Sequence, residues 1–246
     1  MGFYASSTRR RIAAVFFLCA LVGLPWLLQA LDQAFYVSFV SRLLIFALAA
    51  TSLNLVIGFG GMVSFGHAAF FGAGAYCVAV LAENGIVSAA LVWPLAAAVA
   101  AVLALIIGAI SLRTRGVYFI MITLAFAQMA FYLVLSLKSW GGDDGLPLVQ
   151  RSTFGDFSLN DDTHFYYVVL ALLALVLAGL DRLAHSRFGR VIQSIRENET
   201  RMEALGYPVF WFKLVCFTIG GALAGLAGAL LVNQTGLASP SLLHWT

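Results

Sequence analysis

The segment Ala89–Leu112 reads AALVWPLAAAVAAVLALIIGAISL and contains no charged residue. An α-helix needs about 20 predominantly apolar residues to cross the hydrocarbon core of a bilayer, and this segment meets that length. β-Barrel strands would alternate apolar and polar residues over short segments, and the segment shows no such alternation. It therefore predicts a transmembrane helix.

Six other segments share this apolar character, and with the first they predict seven membrane spans. The predicted spans are Ile12–Leu31, Phe35–Phe59, Met62–Ala82, Ala89–Leu112, Val117–Leu137, Phe165–Leu183 and Val209–Val232. Over the whole chain 62% of the residues are hydrophobic and 10% are charged, whereas soluble domains contain about 25% charged residues. The sequence thus predicts an all-α fold, a polytopic bundle of transmembrane helices that forms a single domain over residues 1–246.

The basic residues are distributed unevenly over the predicted connections, which indicates an orientation. If the N-terminus is cytoplasmic, the inside segments hold Arg9, Arg10, Arg11, Arg113, Arg115, Arg182, Arg187, Arg190, Arg196 and Arg201. The outside segments then hold Lys138 and Arg151. Because cytoplasmic loops carry the excess of Lys and Arg, this distribution predicts a multi-pass protein with its N-terminus in the cytoplasm.

Polar side chains inside the predicted spans are candidates for a substrate pathway, because polar groups in hydrocarbon usually face the bundle interior or a pathway. These candidates are Asn54, Ser64, His67, Thr123 and Gln128. Asn54 and His67 flank Gly58–Gly61, a glycine-rich stretch that fits either a tight turn or a broken helix. The alternative interpretation is that each polar residue only forms hydrogen bonds between helices, typically worth about 0.6 kcal/mol.

The last predicted span contains small residues at helical spacing. Gly221-x-x-x-Gly225, continued by Gly228, allows two helix backbones to approach closely. The spacing does not say whether the neighbouring helix belongs to this chain or to a second subunit.

Two connections between the predicted spans are long enough to carry function. The outer one, Ser139–His164, fits a solvated loop and, less well, a gate or docking surface for an external partner. The inner one, Ala184–Pro208, contains apolar residues at i, i+3, i+4 and i+7, a spacing that predicts an amphipathic helix. Those residues are Phe188, Val191, Ile192 and Ile195. The inner helix fits a lipid-surface helix, a solvated linker or a protein-docking segment.

Several motifs of bond-making chemistry are missing from the sequence. It contains no G-x-x-x-x-G-K-[ST] phosphate loop, no H-E-x-x-H and no nucleophile elbow. Cys19, Cys77 and Cys216 lie in apolar stretches without paired spacing, as expected for packing residues rather than metal ligands or a disulfide. We therefore expect no catalytic residue, no metal site and no cofactor, and any ATP hydrolysis must occur on another polypeptide.

Four motifs resemble the branched-chain amino acid ABC transporter permease family. They are Ser52–Gly72 (SLNLVIGFGGMVSFGHAAFFG), Gly116–Phe119 (GVYF), Gly141–Leu146 (GGDDGL) and the inner segment from Ser186 to Gly206, with SRFGR, IRENE and ALG in that order. The resemblance covers the chain from about Thr51 onward, and the motifs occur in the order expected of the family.

The resemblance implies a permease subunit of an ATP-driven importer in the bacterial inner membrane, working by alternating access. Its implied partners are a second permease, two cytoplasmic ATP-binding subunits, an external solute-binding protein and membrane lipid, with no nucleic acid. The implied solutes are leucine, isoleucine and valine, or a related small molecule.

The resemblance also implies that the inner segment, residues 184–208, is an ATPase-coupling segment. Its candidate contact residues are Arg187, Phe188, Arg190, Ile192, Ile195, Arg196 and Glu197. The apolar face is expected to fill a groove on the ATPase, with the charged residues at the rim.

One alternative comes from a different class of membrane protein. A secondary transporter or channel working alone would use His67 in a proton or ion path.

The resemblance also bears on the length of the chain. Family members generally continue through further spans after the stretch matching Ser239–Leu242, so we expect this chain to be truncated relative to the family.

Overall fold

The computed structural model describes residues 20–26, 35–148, 150–154, 157–158 and 161–244. The α-helices of this part are α1 (Phe35–Asn54), α2 (His67–Glu83), α3 (Ala89–Ser111), α4 (Val117–Ser136), α5 (Asp162–His185), α6 (Arg187–Glu197), α7 (Glu199–Ala204) and α8 (Val209–Thr235). Residues 20–26 are also helical. A π-helical segment, Leu55–Phe59, continues α1 and is called the π-turn below. Short 3₁₀ helices are formed by Lys138–Trp140 and Pro240–Leu243.

Five helices of the described part are long and apolar enough to cross a membrane. They are α1 continued by the π-turn (Phe35–Phe59), α3, α4, α5 and α8. The prediction of an all-α polytopic helical bundle is therefore confirmed, and these five helices begin within three residues of the predicted spans. The first predicted span, Ile12–Leu31, lies outside the described residues except for 20–26.

The predicted span Met62–Ala82 is wrong at its start. Helix α2 begins only at His67, has 17 residues and is preceded by irregular backbone. Since about 20 helical residues are needed to cross the hydrocarbon, α2 alone is short for a full crossing. Irregular backbone at membrane depth is tolerated where protein surrounds it.

Helix α8 lies at the centre of the bundle, between α2 and α3. Its small residues allow this: a Cβ added at Gly225 would lie 2.2 Å from the Cβ of Ala100, and one at Gly228 would lie 1.9 Å from the carbonyl oxygen of Phe71. The glycine-rich face predicted on this helix therefore packs against other helices of the same chain.

Three of the helices, α5, α6 and α7, begin with a capping side chain. Asp161 accepts a hydrogen bond from the backbone N–H of Thr163 at the start of α5 (2.9 Å), and Ser186 accepts one from Gly189 at the start of α6 (3.2 Å). Asn198 accepts from Arg201 at the start of α7 (2.9 Å), so a capping side chain separates α6 from α7. Side-chain oxygens at these positions satisfy N–H groups that the first turn leaves free.

The bundle has two distinct ends. One, the α6 end, carries the last turn of α5 together with α6 and α7. The other, the strand end, carries two small antiparallel sheets: β1 (Leu146–Pro147) with β4 (Leu237–Ala238), and β2 (Thr153–Phe154) with β3 (Phe157–Ser158).

The outer connection is folded onto the strand end, which corrects the expectation of a solvated loop. Ser152 is buried, and its backbone N–H donates to Oδ1 of Asn233 at 2.8 Å. Gly145 approaches Ala238 so closely that an added Cβ would lie 2.5 Å from its carbonyl oxygen. The connection therefore closes over the ends of α2 and α8.

Candidate functional site

The glycine-rich stretch after α1 is a broken helix end. In the π-turn the backbone hydrogen bonds span more residues than the four of an α-helix. Gly60 N–H donates to Leu55 C=O, and Met62 N–H donates to Val56 C=O, both at 3.1 Å. Gly61 has a φ of +66°, a backbone conformation that favours glycine. From there the chain runs irregularly to His67. π-Helical turns of this kind are often found at functional sites.

His67 joins the start of α2 to α1. Its Nε2 lies 2.9 Å from Oγ of Ser52, and that hydroxyl also donates to the carbonyl of Ala49 at 2.7 Å. Since the Ser52 proton is used by Ala49, His67 donates through Nε2 and its Nδ1 is an acceptor. Nδ1 is buried and has no hydrogen-bond partner. Ser52 is a polar span residue by the same sequence criterion as the other candidates, but the sequence analysis did not select it.

Ser64 and Thr123 lie close together beside the start of α2. Oγ of Ser64 accepts from the backbone N–H of Gly66 at 3.1 Å, and a Cβ on Gly66 would lie 3.3 Å from the Cβ of Thr123. Both side chains are buried, and Oγ1 of Thr123 donates to the carbonyl of Ile120 at 2.9 Å. These two hydroxyls thus have local backbone partners, as residues that only support the packing would.

The other two pathway candidates lie elsewhere. Gln128 is five residues beyond Thr123 on α4, about 140° around the helix at 3.6 residues per turn, so the two side chains leave α4 in different directions. Asn54 is exposed and covers Gly58, where an added Cβ would lie 2.2 Å from its Oδ1. The five candidates therefore do not form one site.

Asn54 lines a cavity of about 630 Å³ at the α6 end. The cavity lies between the end of α1, the last turns of α5, and α6. Its polar lining residues are Thr51, Asn54, Asp181, His185, Arg190 and Gln193. Asp181, His185 and Gln193 were not selected from the sequence: Asp181 lies near the end of the predicted span Phe165–Leu183, and His185 and Gln193 lie in the connection that follows it.

The apolar face of α6 packs on this chain. Ile192 and Ile195 are 1% and 2% exposed and belong to a core with residues of the π-turn and α8, and Phe188 stacks on Phe212 with ring centroids 5.5 Å apart. The expectation that the two isoleucines fill a groove on another protein is therefore wrong. Periodicity identified the residues that share a face, but it could not identify what covers that face.

Arg196 of α6 contacts the broken end of α1 directly. Its Nη1 donates to the carbonyl oxygen of Gly58, and its stem lies over Gly61, where an added Cβ would be 2.7 Å from Cγ of Arg196. Arg196 thus provides a partner for a carbonyl of the π-turn. Among the other coupling candidates, Arg187, Arg190 and Glu197 are exposed.

A group of ion pairs fastens α7 to its neighbours. Arg115, in the connection between α3 and α4, lies 2.8 Å from Glu203 and 3.5 Å from Glu199, and Lys213 of α8 lies 2.6 Å from Glu199. No sequence pattern predicts these pairs, since their members are far apart along the chain. They join α7 to the connection before α4 and to α8.

The described cysteines and acidic residues form no metal site. Cys77 and Cys216 are free thiols, and Cys19 lies outside the described residues. Within the described ranges, no group of three or more His, Cys, Asp or Glu side chains is arranged to hold a metal ion.

Known proteins resemble this chain over most of its length. The family model for the permease component of branched-chain amino acid transport systems matches residues 35–246. Two relatives are the high-affinity branched-chain amino acid transport system permease proteins LivM of Salmonella typhimurium and Escherichia coli, 28% and 30% identical over 221 residues. A third, the probable branched-chain amino acid transport permease protein LivM of Methanocaldococcus jannaschii, is 25% identical over 223 residues. No solved structure matches the chain.

The chain is shorter than these relatives. The two bacterial matches cover 80% of this chain and 52% of each relative, and the archaeal match covers 76% of this chain and 64% of the relative. It therefore spans about half the length of the bacterial proteins. The family match includes the broken end of α1, the bundle and α6. The chain belongs to the family of permease components of branched-chain amino acid transport systems.

Proposed function

We propose that this chain is a membrane-spanning subunit of an ATP-driven importer for branched-chain amino acids or a related small solute. In this proposal residues 1–246 form one permease domain in the bacterial inner membrane, with the N-terminus and the α6 end in the cytoplasm. The partners are a second permease subunit, two ATP-binding subunits and an external solute-binding protein. Transport proceeds by alternating access.

The contact between Arg196 and the π-turn carries this proposal. Helix α6 lies beside the bundle, and Arg196 connects it to the carbonyl of Gly58 in the broken end of α1. One helical turn and a half earlier, Ser52 of α1 contacts His67 at the start of α2. A displacement of α6 would therefore move the end of α1 and, through it, the start of α2. The backbone between these two helix ends is irregular, so its hydrogen bonds are more easily changed than those of a regular helix.

The two faces of α6 fit a coupling role. Ile192 and Ile195 fasten the helix to the bundle, so a force applied to α6 is transmitted to the core. Arg187, Arg190 and Glu197 remain exposed at the same end and are the proposed contacts with an ATP-binding subunit. The coupling segment, residues 184–208, would thus bind its partner through its polar face.

The proposed substrate pathway retains the residues selected from the sequence. Asn54 and His67 are the strongest candidates. Each adjoins the broken end of α1, and neither has the local backbone partner that Ser64 and Thr123 have. The unpaired Nδ1 of His67 also favours the second candidate function, a secondary transporter or channel that works alone with an ion or proton path through this residue.

Replacement of Arg196 tests the coupling directly. In the reconstituted complex we expect Arg196→Gln to lower solute-stimulated ATP hydrolysis and uptake together by roughly ten- to a hundredfold, since a hydrogen bond from a charged donor is worth about 1.5–3 kcal/mol. Arg182→Gln, a matched change at an exposed arginine on α5, should leave both unchanged. The ATP-binding subunit should still copurify with both variants. Normal uptake by a folded Arg196→Gln complex would contradict the proposal.

A further inference from the structure

A second cavity, of about 210 Å³, lies at the α6 end of the bundle and is called the Lys213 cavity below. Three of the four motifs that resemble the permease family supply lining residues: Gly61, Met62 and Val63 from the first, Gly116 and Phe119 from the second, and Glu199 from the inner segment. One water molecule needs about 10–15 Å³ of such a cavity, so there is room for a molecule of the size of an amino acid.

The irregular backbone that borders this cavity has unused hydrogen-bonding groups. Within the described part of the chain, no group donates to the carbonyl oxygens of Gly61, Met62 and Val63. Backbone left unpaired at membrane depth must be buried in protein or line a cavity with polar contents. In transporters, the broken ends of membrane helices supply such backbone groups to the polar parts of a solute or ion.

The charged side chains of the cavity carry both signs. Lys213, one helical turn into α8, is 17% exposed, and its Nζ lies 2.6 Å from one carboxylate oxygen of Glu199. Arg115 lies 3.5 Å from the other oxygen. The lining therefore holds two cations and one carboxylate, since Glu203, the second partner of Arg115, lies outside it. Ionisable side chains within membrane helices commonly mark a solute pathway.

The rest of the lining is largely apolar. Met62, Leu112, Phe119 and Ile120 contribute to it, and a Cβ added at Gly116 would meet no atom within 4 Å. A ligand that matches this lining has one carboxylate, one ammonium group and an apolar side chain. An apolar molecule would cover the charges without pairing them, and a small inorganic ion would leave the apolar wall uncovered.

We propose that the Lys213 cavity binds an α-amino acid with an apolar side chain. The solute carboxylate binds between Lys213 and Arg115, its ammonium group binds Glu199 and the backbone carbonyls after the π-turn, and its side chain contacts Phe119 and Ile120. This inference rests on the proposed import of branched-chain amino acids and names the residues that hold the solute at the α6 end.

The test uses the detergent-solubilised complex of this chain with its partner subunits and a leucine analogue that carries a diazirine in its side chain. After irradiation, mass spectrometry should place adducts on Leu112, Phe119 or Ile120, and excess leucine should remove them. Isoamylamine lacks the carboxylate of leucine and isocaproate lacks its ammonium group. Each should compete at least roughly tenfold less well, because each loses a charge-assisted contact.

Two variants separate solute binding from the fastening of α7. Lys213→Met should reduce the adducts roughly tenfold or more and abolish the preference for leucine over isoamylamine. Glu199→Gln should instead weaken the preference for leucine over isocaproate. Lys138→Met, at the other lysine of the chain, is exposed at the strand end and should change neither preference. A pair that only fastened α7 to α8 would affect the yield of folded complex and not the order of the competitors.

Adducts that form only outside the cavity, or that the three competitors remove equally well, would overturn the inference. The labelling needs neither ATP nor transport, so it is independent of the uptake that tests the importer. A complex that imports leucine with ATP but shows no leucine-displaceable adducts in the cavity would refute this site and leave the importer standing. Displaceable adducts in a complex without ATP-driven uptake would support the site and refute the importer.

Discussion

Single glycines determine how closely the helices approach at the centre of the bundle. Gly225 and Gly228 of α8 face α3 and α2, and no larger side chain fits at either position without a shift of the neighbouring backbone or side chain. Gly179 of α5 is different, since an added Cβ there meets no atom within 4 Å. A side chain added at a glycine would therefore clash with neighbouring atoms on α8 but would meet none on α5.

These two glycines give a prediction about stability. Gly228→Ala should destabilise the chain by about 1–3 kcal/mol, because its Cβ would overlap the carbonyl of Phe71. Gly179→Ala, at an exposed helical position, should be neutral or stabilise by up to about 1 kcal/mol. Thermal unfolding of both variants in detergent measures the difference. A Gly228→Ala variant as stable as the wild type would show that α2 and α8 are not in contact.

The polar residues at the broken end of α1 give a second prediction. Asn54→Leu and His67→Leu should each reduce transport more than they reduce the yield of folded chain, because both residues are proposed to line or support the route. Asn84→Leu, at the exposed end of α2, is the matched control and should transport normally. If Asn54→Leu and His67→Leu fold and transport normally, both residues are only packing residues.

At the scale of elements, the sequence predicted the long helices well and their interruptions poorly. The length and apolarity of α1, α3, α4, α5 and α8 follow from the bilayer, so their bounds could be predicted from composition. The start of α2 could not, because the residues from Met62 to Gly66 are as apolar as a helix and only their backbone hydrogen bonds show that they are not helical.

The site was predicted in the same uneven way. His67 was selected as a polar residue in an apolar span, and the i, i+3, i+4 and i+7 spacing of apolar residues predicted the helix α6. The contact of Arg196 with Gly58 and the ion pairs of Glu199 join residues that are distant in sequence, and a single sequence contains no signal for such pairs. The partner that covers an apolar helix face is set by tertiary packing, which periodicity does not report.

The buried face of α6 gives a third prediction. Ile192→Asp should destabilise this chain itself by several kcal/mol, because it places an unpaired charge at a position that is 1% exposed. Ser194→Asp, on the exposed side of the same helix, should change stability by less than about 0.5 kcal/mol. Each variant is expressed without any ATP-binding subunit and analysed by size-exclusion chromatography. Ser194→Asp should elute as the folded chain, and Ile192→Asp should not. A folded Ile192→Asp chain would show that α6 is not packed as described.

The ion pairs of α7 are expected to contribute little to stability. Arg115 and Glu203 are largely exposed, and pairs of this kind are worth about 0–1 kcal/mol. Glu203→Gln should therefore lower the free energy of unfolding by less than about 1 kcal/mol, with the difference vanishing at high salt. Unfolding at low and high ionic strength checks this. A larger loss that persists in high salt would assign the pair a structural role.

At the scale of the whole molecule, the two ends of the bundle should lie on opposite sides of the membrane. Helix α5 joins Asp162 at the strand end to His185 at the α6 end in a single crossing. Cysteines placed at Asp144 and at Ser194 in a background without other cysteines should therefore react with an impermeant maleimide from opposite sides. The distribution of basic residues predicts that Ser194→Cys reacts from the cytoplasmic side. Labelling of both from one side would exclude the topology.

The central claim, that this chain is a subunit of an ATP-driven importer, is tested most directly by uptake of labelled leucine, isoleucine and valine into proteoliposomes. The complex of this chain with its second permease, ATP-binding subunits and solute-binding protein should accumulate at least one of these solutes only when ATP is supplied at the α6 side. Uptake should survive a proton ionophore and disappear when the phosphate-loop lysine of the ATP-binding subunit is replaced. Uptake by this chain alone, driven by a pH gradient without ATP and lost in His67→Leu, would contradict the claim and support a secondary transporter.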